Sequence, residues 1–314
     1  MPLDTRIPLH KLEVFCYVVE LESMSRAAER LYVAQPVVSA HIKSLEERIG
    51  AKLLYRQGNR TLVTEAGASA YQWATEVLTR SREMVREIEG LTDGSRGSVV
   101  IASSMTVGSY VLPPVLARFR MARPHTQITL TSSDPEHASA AAEAGECDFA
   151  VLISDDPHLV SPHMTAAQIG EEDLVLVGTA DEDAGQHGPL HVSELAGLPF
   201  VSSPARLTRQ GIVDRQLERA GVTNLEVVIE LGHAEAMKRA VRHGLGLAFL
   251  FRSSVADELA RGELREIALL DARLTAPVML LHRREKRFTA MQQDLIAAIT
   301  DGIGPAVRRS AAPG

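Results

Sequence analysis

The chemically capable side chains that cluster in this 314-residue sequence are hydroxyls and amides. Three hydroxyl groups recur between residues 103 and 203: Ser103, Ser104 and Thr106; Ser132 and Ser133; Ser202 and Ser203. A fourth set, Gln35, Ser39 and Lys43, is spaced by fours near the N-terminus. Catalysis would need a positioned nucleophile and base, a metal cluster or a cofactor loop. Of the eleven histidines only His187 and His191 lie four apart, and Gly188-Pro189 between them works against a shared helix face. Two cysteines, Cys16 and Cys147, are too few and too distant for a zinc cluster or a disulfide framework, and both read as core. The stretch GLGLAF at 244–249 lacks the phosphate-loop pattern, and no G-x-S-x-G elbow occurs. The expectation is a protein without catalytic, metal or cofactor chemistry. What hydroxyls and amides can do instead is bind oxyanions or the edges of bases.

Gln35, Ser39 and Lys43 need a helix to share a face, and the sequence supplies one. Val38, Ile42, Leu45 and Ile49 are spaced 4, 3 and 4, one apolar stripe of a 3.6-residue helix. The other side carries Gln35, Pro36, Ser39, Ala40 and Lys43, all small or polar. Upstream, Leu12, Phe15, Cys16 and Val19 mark the inner face of a first helix. Ser23 can cap a short second one over 24–31, packing through Ala27, Ala28 and Leu31. The turn Tyr32-Val33-Ala34 then makes a helix-turn-helix. After Gly50, two short β-capable stretches flank the turn Gln57-Gly58-Asn59, a wing with Arg56 and Arg60 beside its tip. The chain carries −7, yet 23–60 holds seven basic against three acidic residues, a local balance of +4. Such an island suits a module facing phosphates. A solvated helical surface would also carry it.

A proline-free helix is predicted over 64–91, with Thr64 as N-cap and Glu65 in its first turn. Ala70, Val77, Met84 and Leu91 recur every seven residues, joined by Trp73 and Ile88, a coiled-coil-like seam interrupted at Arg80. At 1.5 Å per residue such a helix is roughly 40 Å long, and its stripe needs a partner, either another subunit or its own C-terminal domain. Residues 93–97 (DGSRG) read as a hinge.

The remaining hydroxyls require strand ends. Strands are predicted at 99–103, 127–131, 149–153, 174–178, 200–202, 226–230, 247–251 and 278–282. Helices alternate with them at 111–121, 138–144, 211–220, 234–243 and 289–299, which implies an α/β fold with mostly parallel sheets. Ser103, Ser104 and Thr106 then lie between a strand and a helix, Ser132-Ser133 and Ser202-Ser203 at two further strand ends, and His233 just before another helix. Hydroxyls and free N–H groups at helix starts form anion sites. Each serine alone reads equally as a helix cap; as a set they point to a small anion, carboxylate or sulfate-like. No apolar run reaches the roughly 18–20 residues of a membrane span, and MPLDTRIPLHKLEVF has no signal-peptide core, so a cytoplasmic protein is expected.

Residues 23–67, SMSRAAERLYVAQPVVSAHIKSLEERIGAKLLYRQGNRTLVTEAG, closely resemble the winged helix-turn-helix of LysR-type transcriptional regulators. The matches are Ala27-Ala28, Leu31, Gln35-Pro36, Ser39, Ile42, Leu45-Glu46, Gly50, Leu53, Arg56 and Thr64-Glu65-Ala66-Gly67. Ala34 departs from the family's capping serine or threonine, which should weaken the cap by about 1 kcal/mol. Leu54 replaces a usual phenylalanine, and Asn59 a frequent basic residue. Looser matches, GSVVIASSMTVGSYVLPPVLARF, GECDFAVLI and GLGLAFL, extend the resemblance to the family's effector-binding domain, although Phe251 replaces a frequent proline. The resemblance implies an α+β two-part chain. It would comprise a winged helix-turn-helix at 1–63, a linker and dimerisation helix with hinge at 64–96, and a two-lobed α/β domain at 97–314. That domain would have the fold of type-2 periplasmic binding proteins, one lobe at about 97–163 and 270–302 and the other at about 164–269. The implied partners are duplex DNA at a pseudo-palindromic operator, a small-molecule effector between the lobes and further copies of the chain, as homodimer or homotetramer. Gln35 would meet base edges in the major groove, Pro36 and Ala40 would allow close approach, Ser39 and Lys43 would reach bases or phosphates, and Arg56 and Arg60 phosphates. The C-terminal half alone would also suit a transporter's solute-binding protein, which leaves the first 90 residues unexplained.

Overall fold

The computed structural model describes residues 7–58, 60–92, 97–180, 188–205, 207–222 and 225–308. The turn residue Asn59, most of the hinge (93–96), His187 and the small-residue tail (311–314) lie outside them. The chain divides into two units, one N-terminal and one C-terminal.

In the N-terminal unit, helices α1 (Leu9–Leu21), α2 (Met24–Arg30) and α3 (Gln35–Ile49) pack around Leu12, Phe15, Val18, Val38 and Leu45. Ser23 caps α2, its hydroxyl accepting from Arg26 N at 3.3 Å. Ala27 and Ala28 are buried because only small residues let α2 approach its neighbours so closely. The turn into α3 is tightened by Tyr32, whose φ of 55° is left-handed. The α3 stripe is as its spacing predicts, with Val38, Ile42 and Leu45 buried. Strands β1 (Leu54–Gln57) and β2 (Arg60–Val63) pair antiparallel as the wing. Helix α4 (Glu65–Thr92) follows, with Thr64 as its cap: the Thr64 hydroxyl accepts from Gly67 N at 2.9 Å and donates to Lys52 O at 2.7 Å.

The C-terminal unit is built on a seven-stranded sheet. Parallel strands β3 (Ser98–Ser104), β4 (Gln127–Ser133) and β5 (Phe149–Ile153) form one end, with β3 between the other two. A 16-residue strand, β6 (Met164–Thr179), pairs through its first part, up to Leu174, with β11 (Leu274–Arg283), and β11 pairs with β5. The far end of β6 is flanked by β9 (Ala248–Phe251) and β10 (Leu264–Ile267). Strands β7 (Pro199–Ser202) and β8 (Glu226–Glu230) pair parallel, and Phe200 bridges to Leu247 beside β9. This gives two lobes with β6 and β11 running through the junction.

The expectation of mostly parallel sheets is corrected here: β6 pairs antiparallel with β9, β10 and β11, and β11 pairs antiparallel with β5. Only the apolar end of β6, Leu174–Gly178, reads as a strand from sequence, because 164–173 (MTAAQIGEED) is too polar. The two connecting strands turn back on one another, and that return sets the antiparallel sense. Helices α5 (Leu112–Ala122), α6 (Pro135–Glu143), α7 (Thr208–Arg219), α8 (Ala234–Arg242), α9 (Arg252–Arg261) and α10 (Ala290–Arg308) cover the sheets. Among these, α9 was not expected. Among the described residues no helix is long and apolar enough to cross a membrane.

Candidate nucleic-acid interface and ligand cleft

On α3 the residues expected to face a ligand are free to do so. Pro36, Ser39, Ala40 and Lys43 are exposed and Gln35 is half-buried at the helix start. Lys43 lies 3.9 Å from Glu47, a fully hydrated pair one turn apart that holds it weakly. Ala34 occupies the N-cap position without a side-chain hydrogen bond. In the wing Arg56 is exposed, and Arg60 sits 3.4 Å from Glu22.

Sequence reasoning missed three features of this surface. Tyr32, in the turn, is 96% exposed, Val33 and Val37 are exposed beside it in sequence, and Tyr55 is exposed on β1. Glu46, only 8% exposed, accepts from Lys52 Nζ at 2.6 Å, Leu53 N at 3.0 Å and Leu54 N at 3.3 Å, tying α3 to the wing. Burial alone would raise its pKa, but the Lys52 ammonium and those two N–H groups hold the carboxyl below the usual carboxylate range. Gly67 is required because a Cβ there would come within 2.0 Å of the Leu53 carbonyl oxygen. Cys16 is inert core, burial pushing its thiol up to about 12.

Helix α4 has two apolar faces. Ala74 and Leu78 are buried in the N-terminal unit's core, with Ala70 and Val77 packed half-buried against it. Trp73 (43% exposed), Met84, Val85 and Ile88 are left uncovered. The expected seam is thus split: Ala70 and Val77 serve their own unit, while Trp73, Met84 and Ile88 face outward. The Leu91 side chain lies outside the described residues.

In the C-terminal unit most of the expected hydroxyls are already engaged. Ser103 is buried, donating to Thr131 O at 3.2 Å and bonded to Ser132 at 3.1 Å. Both hydroxyls press on Gly108, where a Cβ would lie 2.0 Å from one and 2.3 Å from the other. Ser104 accepts from Ile153 N at 3.2 Å, which leaves its O–H to donate. Thr106 stands at the N-cap of a π-turn, Val107–Val111, without a side-chain cap bond. Ser133 donates to Asp134 O, and His233 caps α8 by accepting from Glu235 N at 3.2 Å. Ser202 donates to Gln210 at 2.8 Å. Ser203, 1% exposed, accepts from Arg209 Nε at 3.0 Å and donates to Met237 Sδ at 3.4 Å. His191 faces Asp271 at 3.4 Å.

The lobes meet through polar contacts that the sequence did not disclose. Tyr110 donates to Glu235 at 2.5 Å, Thr208 donates to Glu136 at 2.8 Å, and Arg215 pairs with Asp155. Burial and the adjacent Glu235 carboxylate both push the Tyr110 hydroxyl's pKa upward, so it stays a donor.

Comparison with known proteins fits this division. Residues 9–68 match the model of the bacterial regulatory helix-turn-helix protein, lysR family, and residues 92–303 that of the LysR substrate binding domain. A probable RuBisCO transcriptional regulator of Cyanidioschyzon merolae is 31% identical over 85% of this chain and 88% of its own length. The uncharacterized HTH-type transcriptional regulator YeiE of Escherichia coli is 33% identical over 90% and 94%. In fold, the chain is similar to full-length LysG of Corynebacterium glutamicum, solved with bound effector Arg, with a TM-score of 0.56, 21% identity and coverage of 94% and 98%. Two models that together take in almost the whole chain, each on its own unit, leave one assignment: the chain belongs to the LysR family of DNA-binding transcriptional regulators, which act by binding rather than by catalysis.

Proposed function

We propose that this regulator reads an operator through the exposed face of α3 and answers to a small anion held between the two lobes of its C-terminal unit. The observation that carries the first half is an exposed hydroxyl, Ser39, and a half-buried amide, Gln35, on one helix face within a basic surround. Gln35 can bond adenine N6 and N7, Ser39 and Lys43 reach base edges or phosphates, Pro36 and Ala40 permit close approach, and Arg56 and Arg60 take backbone phosphates. The uncovered Trp73, Met84 and Ile88 support pairing of α4 with a second copy, as homodimer or as part of a homotetramer, so that two α3 helices meet a pseudo-palindromic site.

For the cleft, the free O–H of Ser104 and the uncapping hydroxyl of Thr106 at a helix start favour an anionic effector. Ser132, Ser133 and Ser202 act mainly by shaping the strand ends. Retarded migration of an operator duplex at moderate salt, with competition by unrelated duplex, tests the first half. A thermal-shift screen against metabolite anions tests the second.

A further inference from the structure

We propose that Arg209 is the charged anchor of the effector and that the cleft is built for a singly charged anion with two or more oxygen acceptors, a carboxylate or a sulfonate-like group. The proposal rests on the anionic-cleft reading above and sharpens it to one residue and one charge. Arg209 stands in the first turn of α7, and its hydrogen-bond acceptors among the described residues are the Ser203 hydroxyl and Met237 Sδ, 3.1 Å away. No carboxylate lies within ion-pairing distance of it among the described residues. A thioether is a weak acceptor, and a guanidinium has five donors in a planar fork suited to a carboxylate. Burial presses its pKa downward, and the Tyr110 hydroxyl of the opposite lobe lies close enough to act on it. A half-buried charge met only by neutral acceptors is poorly compensated, so the cluster favours an anion that pairs with it.

The neighbouring cation cannot do the same. Lys238 is buried, and its three donors are spent on Glu235 at 2.6 Å, Glu258 at 2.8 Å and Ser254 O at 2.9 Å. Arg261 also pairs with Glu258, at 3.7 Å, so the two carboxylates meet two cations and Arg209 is the charge left over. One uncompensated positive charge accommodates one negative charge, and a dianion would meet the field of Glu235.

Acetate, methanesulfonate and sulfate, titrated into the full-length protein at constant ionic strength, test this by calorimetry and melting temperature. Acetate and methanesulfonate should stabilise it saturably, at lower concentration than sulfate. Arg209→Met should weaken monoanion binding roughly tenfold to hundredfold without lowering the melting temperature of the ligand-free protein. Arg209→Lys, which keeps charge but loses the fork, should fall between. Unchanged acetate affinity in Arg209→Met, with loss in Thr106→Val, would leave an anionic cleft standing and remove Arg209 from it. A preference for sulfate would overturn the single-charge argument, and a wild type that answers none of the three would overturn both readings. A lowered melting temperature in both Arg209 variants would make the residue structural and also defeat the proposal.

Discussion

Ser39 on α3 and Ser103 on β3 are the same side chain in opposite circumstances. Ser39 projects from an exposed helix face, whereas Ser103 is buried between Thr131 O and the Ser132 hydroxyl beneath Gly108. The contrast extends to their neighbours. The α3 face leaves its polar groups uncommitted and commits the residues behind them, Val38, Ile42, Leu45 and Glu46. The cleft commits most of its hydroxyls to the fold and leaves its uncompensated charge on Arg209. A polar residue type therefore says little about ligand contact until its hydrogen bonds have been counted.

That difference can be broken, or made sharper, by substitution. The largest effect is expected on α4: Trp73→Asp should put a charge into the pairing face and cost about 3–5 kcal/mol of association, giving monomers in sedimentation with much weaker operator binding. A dimer unaffected by this change would place the interface elsewhere. Next, Glu46→Gln should destabilise the N-terminal unit by about 2–4 kcal/mol, since it withdraws the carboxylate from two N–H groups and an ammonium. The sign with pH follows from its lowered folded-state pKa: the Glu46 contribution is complete above the ordinary carboxylate range and fades as pH falls through the folded value. The gap in melting temperature between wild type and Glu46→Gln should accordingly narrow in acid, and a constant gap would show that shape rather than charge matters.

In the cleft, Thr106→Val should lower effector affinity by about 1.5–3 kcal/mol, read by calorimetry, with operator binding in the absence of effector preserved. On α3, Gln35→Ala should cost about 1–3 kcal/mol on the specific site and little on unrelated duplex. Arg56→Ala should weaken all duplexes alike and flatten the salt dependence. The smallest change tests the comparison most directly. Ser39→Ala should alter stability by less than about 0.5 kcal/mol, while Ser103→Ala should cost about 1 kcal/mol, both measured by denaturant unfolding. Equal losses would erase the distinction between the two surfaces.

How much of this was legible in sequence follows the same line. The α3 stripe, the Ser23 and Thr64 caps and the wing were readable because their causes are local: spacing, a capping hydroxyl, a turn of Gln57 and Gly58. The α3 face was legible too, since everything opposite a buried stripe is exposed. Glu46 was matched only as a family residue, because its partners Leu53 and Leu54 are met through the fold. Arg209 and Tyr110 escaped altogether, since nothing nearby in sequence announces that one lacks a counter-ion and the other reaches across to Glu235. The polar half of β6 escaped for a related reason, being a strand by virtue of its pairing with β11 rather than by composition.

Gly67 carries a practical consequence for anyone recombining these regulators. Its Cα abuts the Leu53 carbonyl with no room for a methyl group, and its N–H is held by Thr64, which is itself bonded to Lys52 O. The root of the wing and the first turn of α4 are thus a single rigid splice. A chimaera that exchanges DNA-reading heads by cutting at residues 63–64 would pair a foreign wing with a native helix start across a contact of zero tolerance. The seam for such grafts lies past Leu78, where α4 has left the core of its own head.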